Sequence, residues 1–186
     1  MKRTRGLLLP ALGLAVLLAA LPARAAVDMF LSFLPKIEGE STDKVHKGEV
    51  DVLSWSWGMS NSGTTHIGGG AGAGKANLQD LSVTKYVDKS SASLLQYCAN
   101  GQHLDQATLI VRKAGTTPVE YIKITMTEVM VVSVSTGGSG GQDRLTENIT
   151  LNFAKIKFEY VPLKPDGTPD PSSTKVMTWS IVENAP

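Results

Sequence analysis

The sequence predicts one mainly β domain with a single α-helix. From Val27 onward, β-branched and aromatic residues alternate with polar ones at a period of two, which is typical of strands. Only one stretch carries apolar residues at helical spacing, and segments rich in Gly, Pro and Asp separate the candidate strands. A chain of 186 residues is long enough for one domain with a full core. We therefore assign residues 26–186 to one domain.

Residues 1–25 have the pattern of a cleaved signal peptide. The basic segment MKRTR is followed by 17 mostly apolar residues, GLLLPALGLAVLLAALP, and then by Ala-Arg-Ala, which suits cleavage after Ala25. A membrane-spanning helix is the alternative, but 17 residues that include Pro10 are few for crossing a bilayer. We expect export with removal of residues 1–25, and no stable membrane span.

Seven candidate strands follow one another in the mature chain. They are VDMFLSFL, EVDVLSWSWGMS, ANLQDLSVTKYVD, QATLIVRKAG, VEYIKITMTEVMVVSVST, RLTENITLNFAKIKFEYVPL and KVMTWSIVE. The fifth and sixth exceed the usual strand length, so we expect bends in them or strands that cross from one sheet to another.

The second strand has an apolar face and a small-residue face. The apolar face is Leu53, Trp55 and Trp57, and the small-residue face is Ser54, Ser56 and Gly58. Val50 and Val52 fall in the opposite phase, which indicates a bulge or a strand buried on both faces. Two interpretations of the small residues stay open. Either they are simply exposed, or they form a smooth, polar, uncharged surface that contacts another molecule.

The helix is predicted in DKSSASLLQYCANG. Asp88 or Ser90 can cap its start, and Asn100-Gly101 can end it. The expected docking face against the strands is Leu94, Leu95, Cys98 and Ala99. Because Cys98 is the only cysteine, the chain has no internal disulfide and no cysteine-based metal site. We expect Cys98 to act as a small buried apolar residue.

The segment IGGGAGAGKA, residues 67–76, resembles a phosphate-binding loop at first sight. Gly69, Gly74 and Lys75 have the spacing of that motif, but Ala76 stands where Ser or Thr would hold a magnesium ion. A phosphate loop must also open a helix, and the residues that follow here have a strand pattern. We therefore expect no nucleotide site, and a protruding loop that a partner orders.

Catalytic and nucleic-acid-binding patterns are both weak. Four of the 18 Lys and Arg residues lie in residues 1–25, which leaves 14 basic residues against 17 acidic ones and gives no basic surface for nucleic acid. His46, His66 and His103 are isolated from one another and from any nucleophile motif. Asp43, His46 and Glu49 could be written as a metal cluster, but Lys44 and Lys47 beside them favour a solvated face. We expect no enzyme activity, no cofactor and no metal site.

Several long segments in their order resemble the haemolysin co-regulated protein (Hcp) family. The segments are VDMF, EVDVLSWSWGMS, HIGGGAGAGKANLQDLSVTKYVDKS, VRKAG, VEYIKITMTEV and VSTGGSGGQDRLTENITLNFAKIKFEY. The similarity runs from Ala26 to about Glu183, nearly the whole mature chain. The family consists of the tube-forming subunits of the bacterial type VI secretion system.

The resemblance implies a compact β-barrel of two sheets with the helix alongside. It also implies homohexameric rings that stack into a tube, inside a contractile sheath and under a VgrG-like spike, with small effector proteins in the lumen. It makes Ser54, Ser56 and Gly58 candidates for the lumen wall, Ser56 foremost. The glycine-rich loop resembles one that reaches a neighbouring subunit or ring, and its candidate contact residues are His66, Gly68, Gly69, Gly70, Gly72, Gly74 and Lys75.

The signal peptide departs from the family pattern. Family members are assembled in the cytoplasm and leave by the type VI route, so export across the inner membrane would place this chain elsewhere. Either the signal is real and this chain has another role, or the start codon is assigned too far upstream. The alternative function is a periplasmic or secreted ring-forming binding protein that is not part of a contractile tube. A hydrolase that uses His66 and a loop serine is the weakest hypothesis, since no base, nucleophile and third residue occur at a recognised spacing.

Overall fold

The computed structural model describes residues 27–61, 75–115 and 117–186. These residues form nine strands, one α-helix and a short 3-10 helix. The strands are β1 (Val27–Leu34), β2 (Val50–Ser56), β3 (Met59–Asn61), β4 (Ala76–Leu78), β5 (Leu81–Tyr86), β6 (His103–Lys113), β7 (Val119–Thr136), β8 (Thr146–Tyr160) and β9 (Lys175–Ser180). The helix α1 spans Ser90–Asn100, and the 3-10 turn spans Pro171–Ser173.

Six strands close into an antiparallel barrel. The sheet order is β5-β2-β1-β6-β7-β8-β9, and a further pairing of β5 with β8 closes the first six of these strands into a ring. β9 pairs only with the second half of β8 and extends beyond the barrel. β3 and β4 form a separate two-stranded sheet. The predicted mainly β barrel with one flanking helix is therefore confirmed, and its larger sheet is continuous around the barrel.

The two longest strands bend, as their length predicts. β8 pairs with β5 through its first half, where Leu151 faces Leu81, and with β9 through its second half, where Lys155 faces Ser180. In β7 the register with β8 shifts between Val131 and Ser133. Nearby, Glu128 has a φ of 53°, in the left-handed region that a residue with a side chain seldom adopts. A bulge of this kind increases the local twist and helps a long strand follow the barrel wall.

The barrel interior is filled by alternate residues of every strand. Its fully buried members include Leu31, Val50, Leu81, Leu109, Ile124, Met126, Ile149 and Leu151. Fixed alternation of this kind is what the period of two predicts. Burial of these side chains supplies the main driving force for folding.

In β2 a bulge separates two phases of the alternation. Val50 and Val52 are buried, and the register with β5 shifts between Val52 and Ser54. Trp55 then packs against the core, as Trp57 does just beyond the strand. The predicted bulge is confirmed. Leu53, however, lies at the bulge and is 39% exposed, so the prediction that it shares the core face of the two tryptophans was wrong.

Helix α1 packs against β7 and ends at Gly101, whose φ of 66° suits a glycine after a helix. Before its first turn, the Asp88 carboxylate accepts a hydrogen bond from the backbone N–H of Ser90 at 2.9 Å. Leu94 is fully buried, and Cys98 is half-buried against the core. The prediction was wrong for the other two residues of the docking face, because Leu95 and Ala99 are exposed. The buried face is displaced toward Ser90, Ser91 and the side of Tyr97.

The hairpin β3–β4 brackets the glycine-rich segment. Asn61 pairs with Ala76, so the described strands before and after residues 62–74 lie side by side in this small sheet. Lys75 is followed by strand β4 and not by a helix, which agrees with the expectation that the segment is no phosphate-binding loop. Across the described ranges, no helix has the length and apolar character needed to cross a membrane.

Candidate functional site

Small uncharged polar residues form two rows across four neighbouring strands. In one row Ser56 of β2 faces Ser82, Ser82 faces Thr150, and Thr150 faces Ser133. In the next row Ser54 faces Thr84, Thr84 faces Asn148, and Asn148 faces Ser135. We call these eight residues the small polar face: Ser54, Ser56, Ser82, Thr84, Ser133, Ser135, Asn148 and Thr150.

The face points outward from the barrel because the row between its two rows points inward. That inner row pairs Trp55 with Val83, Val83 with Ile149, and Ile149 with Val134. Val83 and Ile149 are buried, and the two outer members pack against the core. All eight residues of the small polar face are exposed or half-buried. Strand alternation therefore places an apolar interior directly beneath a polar exterior.

The small polar face contains no titratable side chain, and charged groups occur at its two ends along β5. At one end the amide of Asn152 donates a hydrogen bond to Asp80 at 2.7 Å. At the other end the Arg144 guanidinium lies 4.0 Å from the centre of the Tyr86 ring. Between these ends its eight residues offer hydroxyl and amide groups, and the exposed Leu53 and Val132 lie at the bulges next to Ser54 and Ser133. The result is a neutral area that can donate and accept hydrogen bonds.

The hydroxyls of the small polar face lack the features of activated nucleophiles. Thr84 donates its hydroxyl hydrogen to the Asn148 side chain at 2.7 Å, so this pair ties β5 to β8. A catalytic hydroxyl needs a nearby base, and an amide oxygen cannot take up a proton at neutral pH. In the three described ranges, no group of three His, Cys, Asp or Glu side chains is arranged to bind a metal. The arrangement suits reversible contact with another molecule.

A buried ionic cluster supports the face from inside the barrel. The Lys85 ammonium, fully buried, lies 2.7 Å from Asp88 and 2.8 Å from Glu147. The Ser91 hydroxyl donates to Glu147 at 2.8 Å and accepts from the backbone N–H of Asp88 at 3.0 Å. The cluster therefore joins β5, β8 and the start of α1 at one point. A buried ion pair of this kind fixes how two strands align. Here it fixes the alignment of β5 with β8, which also sets the polar rows side by side.

The structure gathers part of the predicted site. Ser54 and Ser56 lie in adjacent rows of the small polar face. Gly58 lies beyond β2, where its carbonyl accepts the Gln79 N–H at 2.9 Å, and it is not paired with β5. Lys75 is exposed and directly precedes β4. His66, Gly68, Gly69, Gly70, Gly72 and Gly74 lie outside the described residues.

Six residues of the face were missed in the sequence. They are Ser82, Thr84, Ser133, Ser135, Asn148 and Thr150. Each occupies a polar position of an alternating strand, in the segments LSVTKY, VSVST and NITLN. One signal in the sequence could have found them. Exposed strand positions commonly carry long charged residues, but these alternate positions carry only small neutral ones. Only the strand register shows that they adjoin Ser54 and Ser56.

The interpretation of His46 as part of a solvated face was wrong. His46 is 4% exposed, and its two ring nitrogens each lie 3.1 Å from a carboxylate oxygen, one of Glu49 and one of Glu120. Lys44 and Lys47 are exposed on either side of it in the sequence, which concealed its burial.

Comparison with known proteins gives a consistent result. The family model for the type VI secretion system effector Hcp matches residues 30–160. Protein hcp1 of Pseudomonas aeruginosa is 57% identical over 160 residues, which cover 86% of this chain and 98% of that protein.

Solved structures agree with the sequence comparison. The structure of a type six secretion system protein resembles this chain with a TM-score of 0.79 at 31% identity. Hcp1 from Salmonella typhimurium does so with a TM-score of 0.69 at 37% identity. In both comparisons, 86% of this chain and 98% of the other chain are covered. The chain therefore belongs to the Hcp family of the type VI secretion system.

Proposed function

We propose that this chain is a structural subunit of the type VI secretion tube, which forms stacked hexameric rings with the small polar face toward the central hole. The observation that carries the proposal is the face itself: eight neutral, small residues in register on four strands. A channel wall that guides cargo needs polar groups that can be wetted, and it must lack charges and large apolar groups that would hold cargo too tightly.

Ring formation is compatible with the free edges of the structure. Of the strands in the large sheet, β9 has one strand neighbour, β8, and among the described residues its other edge is bridged at Ser180, to Ala185, and is otherwise open. An unpaired edge is a ready surface for strand pairing with another chain. Head-to-tail contacts that turn by a constant angle close into a ring. The hairpin β3–β4 and the loop it carries supply a second, different surface for contact with a neighbouring subunit or ring.

Small effector proteins are the proposed cargo, and Ser56 is the foremost lumen residue. Ser56→Glu and Ser56→Trp place a charge or a large ring in the middle of the small polar face. We expect both variants to form rings and to retain less cargo, because the neutral hydrogen-bonding surface is lost. Quantitative mass spectrometry of proteins that co-purify with the ring measures retention.

The matched control for Ser56 is Ser172→Glu, a change at an exposed serine of the 3-10 turn, which follows the second half of β8 and leads to β9. This variant should retain wild-type cargo. Unchanged cargo in both Ser56 variants would remove Ser56 from the cargo surface. Loss of cargo together with loss of rings would assign Ser56 to assembly instead.

The proposed route of release is type VI secretion, in which this chain acts together with a sheath and a spike protein. The alternative is a periplasmic or secreted ring-forming binding protein outside any contractile tube, and the signal-like pattern of residues 1–25 favours it. N-terminal sequencing of the protein from each fraction of the native host separates the two. An N-terminus at Ala26 in the periplasm supports the alternative, whereas sheath-dependent release into the medium supports the tube.

The proposed role is structural and needs no catalytic group or cofactor. Secretion-system tube subunits act by assembly and by reversible contact with cargo. The geometry of the small polar face, which lacks a base positioned beside a nucleophile among the described residues, suits that role.

A further inference from the structure

The loop of residues 35–49 covers one aromatic residue on the outside of the barrel. Phe30 of β1 alternates with Leu31, which faces the core, so it points outward, yet it is only 4% exposed. The His46 ring stacks on it with ring centres 4.3 Å apart and an angle of 16° between the planes. The Arg112 guanidinium from β6 lies 4.8 Å from the ring centre. We call residues 35–49 the covering loop.

Each ring nitrogen of His46 lies against a carboxylate oxygen. Nδ1 lies 3.1 Å from Oε2 of Glu49, within the loop, and Nε2 lies 3.1 Å from Oε1 of Glu120, on β7. An ionised carboxylate only accepts hydrogen bonds, so both ring nitrogens must donate. A ring that donates from both nitrogens is an imidazolium. Contact with the face of the Phe30 ring also favours a cation at this position.

The other charged groups around His46 are already paired with one another. Asp43 of the loop accepts two hydrogen bonds from Arg112, at 2.6 and 3.1 Å, and Asp28 of β1 accepts one at 3.0 Å. Asp43 also accepts the backbone N–H groups of Val45 and His46. Lys44 and Lys47 are exposed. Asp51 of β2, opposite Phe30 in the register, is exposed, and the carboxylates at hydrogen-bond distance from the His46 ring are Glu49 and Glu120.

We propose that His46 is a proton-operated latch for the covering loop. While both ring nitrogens carry a proton, the latch holds the loop to β7 through Glu120 and keeps Phe30 covered. When one proton leaves, a nitrogen lone pair faces a carboxylate at hydrogen-bond distance, and that contact becomes repulsive. The hold is therefore present while His46 carries both ring protons and is lost when one of them leaves. This inference does not depend on the proposed tube function.

Hydrogen exchange of the full chain tests the latch directly. The loop supplies its own reporters, because the N–H groups of Ser41, Gly48 and Glu49 are hydrogen-bonded to loop carbonyls. Exchange is compared at about pH 5.5 and about pH 8.5, which span the range where histidine ordinarily changes charge, and is corrected for intrinsic rates. We expect these amides to lose protection by roughly tenfold at the higher pH, as loss of about 1.4 kcal/mol would give. Amides of Leu109 and Ile124 in the barrel should keep theirs.

Two variants make the test specific. Glu120→Gln offers an amide that can either donate or accept, so it satisfies His46 in both protonation states; we expect protection of the loop at both pH values. Glu120 is 42% exposed, so this variant should fold. His46→Gln cannot change charge and should abolish the pH dependence. His103→Gln, at an exposed histidine, should behave like the wild type.

Ring-nitrogen chemical shifts of His46, assigned by comparison with His46→Gln, supply an independent measurement. Two protonated nitrogens under the conditions where the loop is protected support the latch. A neutral His46 under those conditions would overturn it. Equal loop protection at both pH values in the wild type, or wild-type pH dependence in Glu120→Gln, would overturn it as well.

Discussion

Among single residues, Asp43 links the covering loop to β6 through Arg112, which also contacts β1. Its charge makes the stability of the fold depend on pH. Its carboxylate receives two hydrogen bonds from Arg112 and further ones from the backbone of His46 and Val45. The Arg112 hydrogen bonds, followed by those of the backbone, hold the pKa of Asp43 well below its usual value of 3.8. The same pairing raises the pKa of Arg112. Both shifts favour the ion pair, so the charged forms belong to the folded state.

Asp43→Asn tests this linkage. A carboxyl with a lowered folded-state pKa stabilises the fold above its unfolded value and loses that contribution as the pH falls. We expect the variant to unfold at a lower urea concentration at pH 5 to 8 (about the range of maximal stability), and the difference from wild type to shrink below the ordinary value of 3.8. Urea unfolding against pH measures it. Asp105→Asn, at an exposed carboxylate of β6, is the control. A difference that is constant down to acid pH would contradict the account.

Lys85 is a second residue whose substitution should change the free energy of unfolding in a definite direction. It is fully buried between Asp88 and Glu147, and one oxygen of Glu147 has no hydrogen-bond partner within the described residues. Lys85→Met leaves two buried carboxylates without their cation, and we expect the free energy of unfolding to fall by about 3–5 kcal/mol. Lys123→Met, at an exposed position of β7, should change it by less than about 0.5 kcal/mol. Equal effects of the two substitutions in chemical denaturation would show that the cluster contributes little.

Elements differ in how fully their sequence predicts them. β1 and β7 have the bounds that alternation predicts; β1 pairs with β6 along its whole length, and every part of β7 has a partner in β6 or β8 despite its bulge. The candidate second strand is instead divided into β2 and β3, because Gly58 turns to bond Gln79. Periodicity reports which side chains share a face, but it does not show where a strand leaves its partner.

The candidate site was predictable only in its β2 part for the same reason. Ser56 is visible in the alternation of one strand, whereas its neighbours Ser82 and Thr150 lie 26 and 94 positions further along the chain. Register between distant strands is a property of the closed barrel. His46 escaped prediction likewise, since its burial depends on Phe30 and Glu120, from two other elements.

The helix offers a matched pair of leucines. Leu94 is fully buried under α1, and its neighbour Leu95 is 43% exposed. Leu94→Ala should lower the free energy of unfolding by about 2–5 kcal/mol through lost burial and a cavity. Leu95→Ala has the same chemistry and helix propensity and should cost far less. Thermal and urea unfolding of the two variants give the comparison, and equal losses would mean that the helix docks by its other face.

The whole molecule combines a closed barrel with two projecting features. Closure gives each of the six barrel strands a partner on both sides, while β9 and the hairpin β3–β4 lie outside the closed ring of strands. A closed barrel holds the rows of the small polar face in a fixed register, and β9 and the hairpin leave backbone groups and side chains available to a second copy. The proposed ring therefore uses a rigid wall for cargo and separate parts for assembly.

Native mass spectrometry of the purified full chain, with electron microscopy of the same sample, tests the central claim most directly. Membership of the Hcp family and the placement of the small polar face predict closed rings of six copies with an open central hole. Stacks of such rings would also agree with the account. A protein that stays monomeric at working concentrations, or a ring whose hole is lined by a face other than β2, β5, β7 and β8, would contradict it.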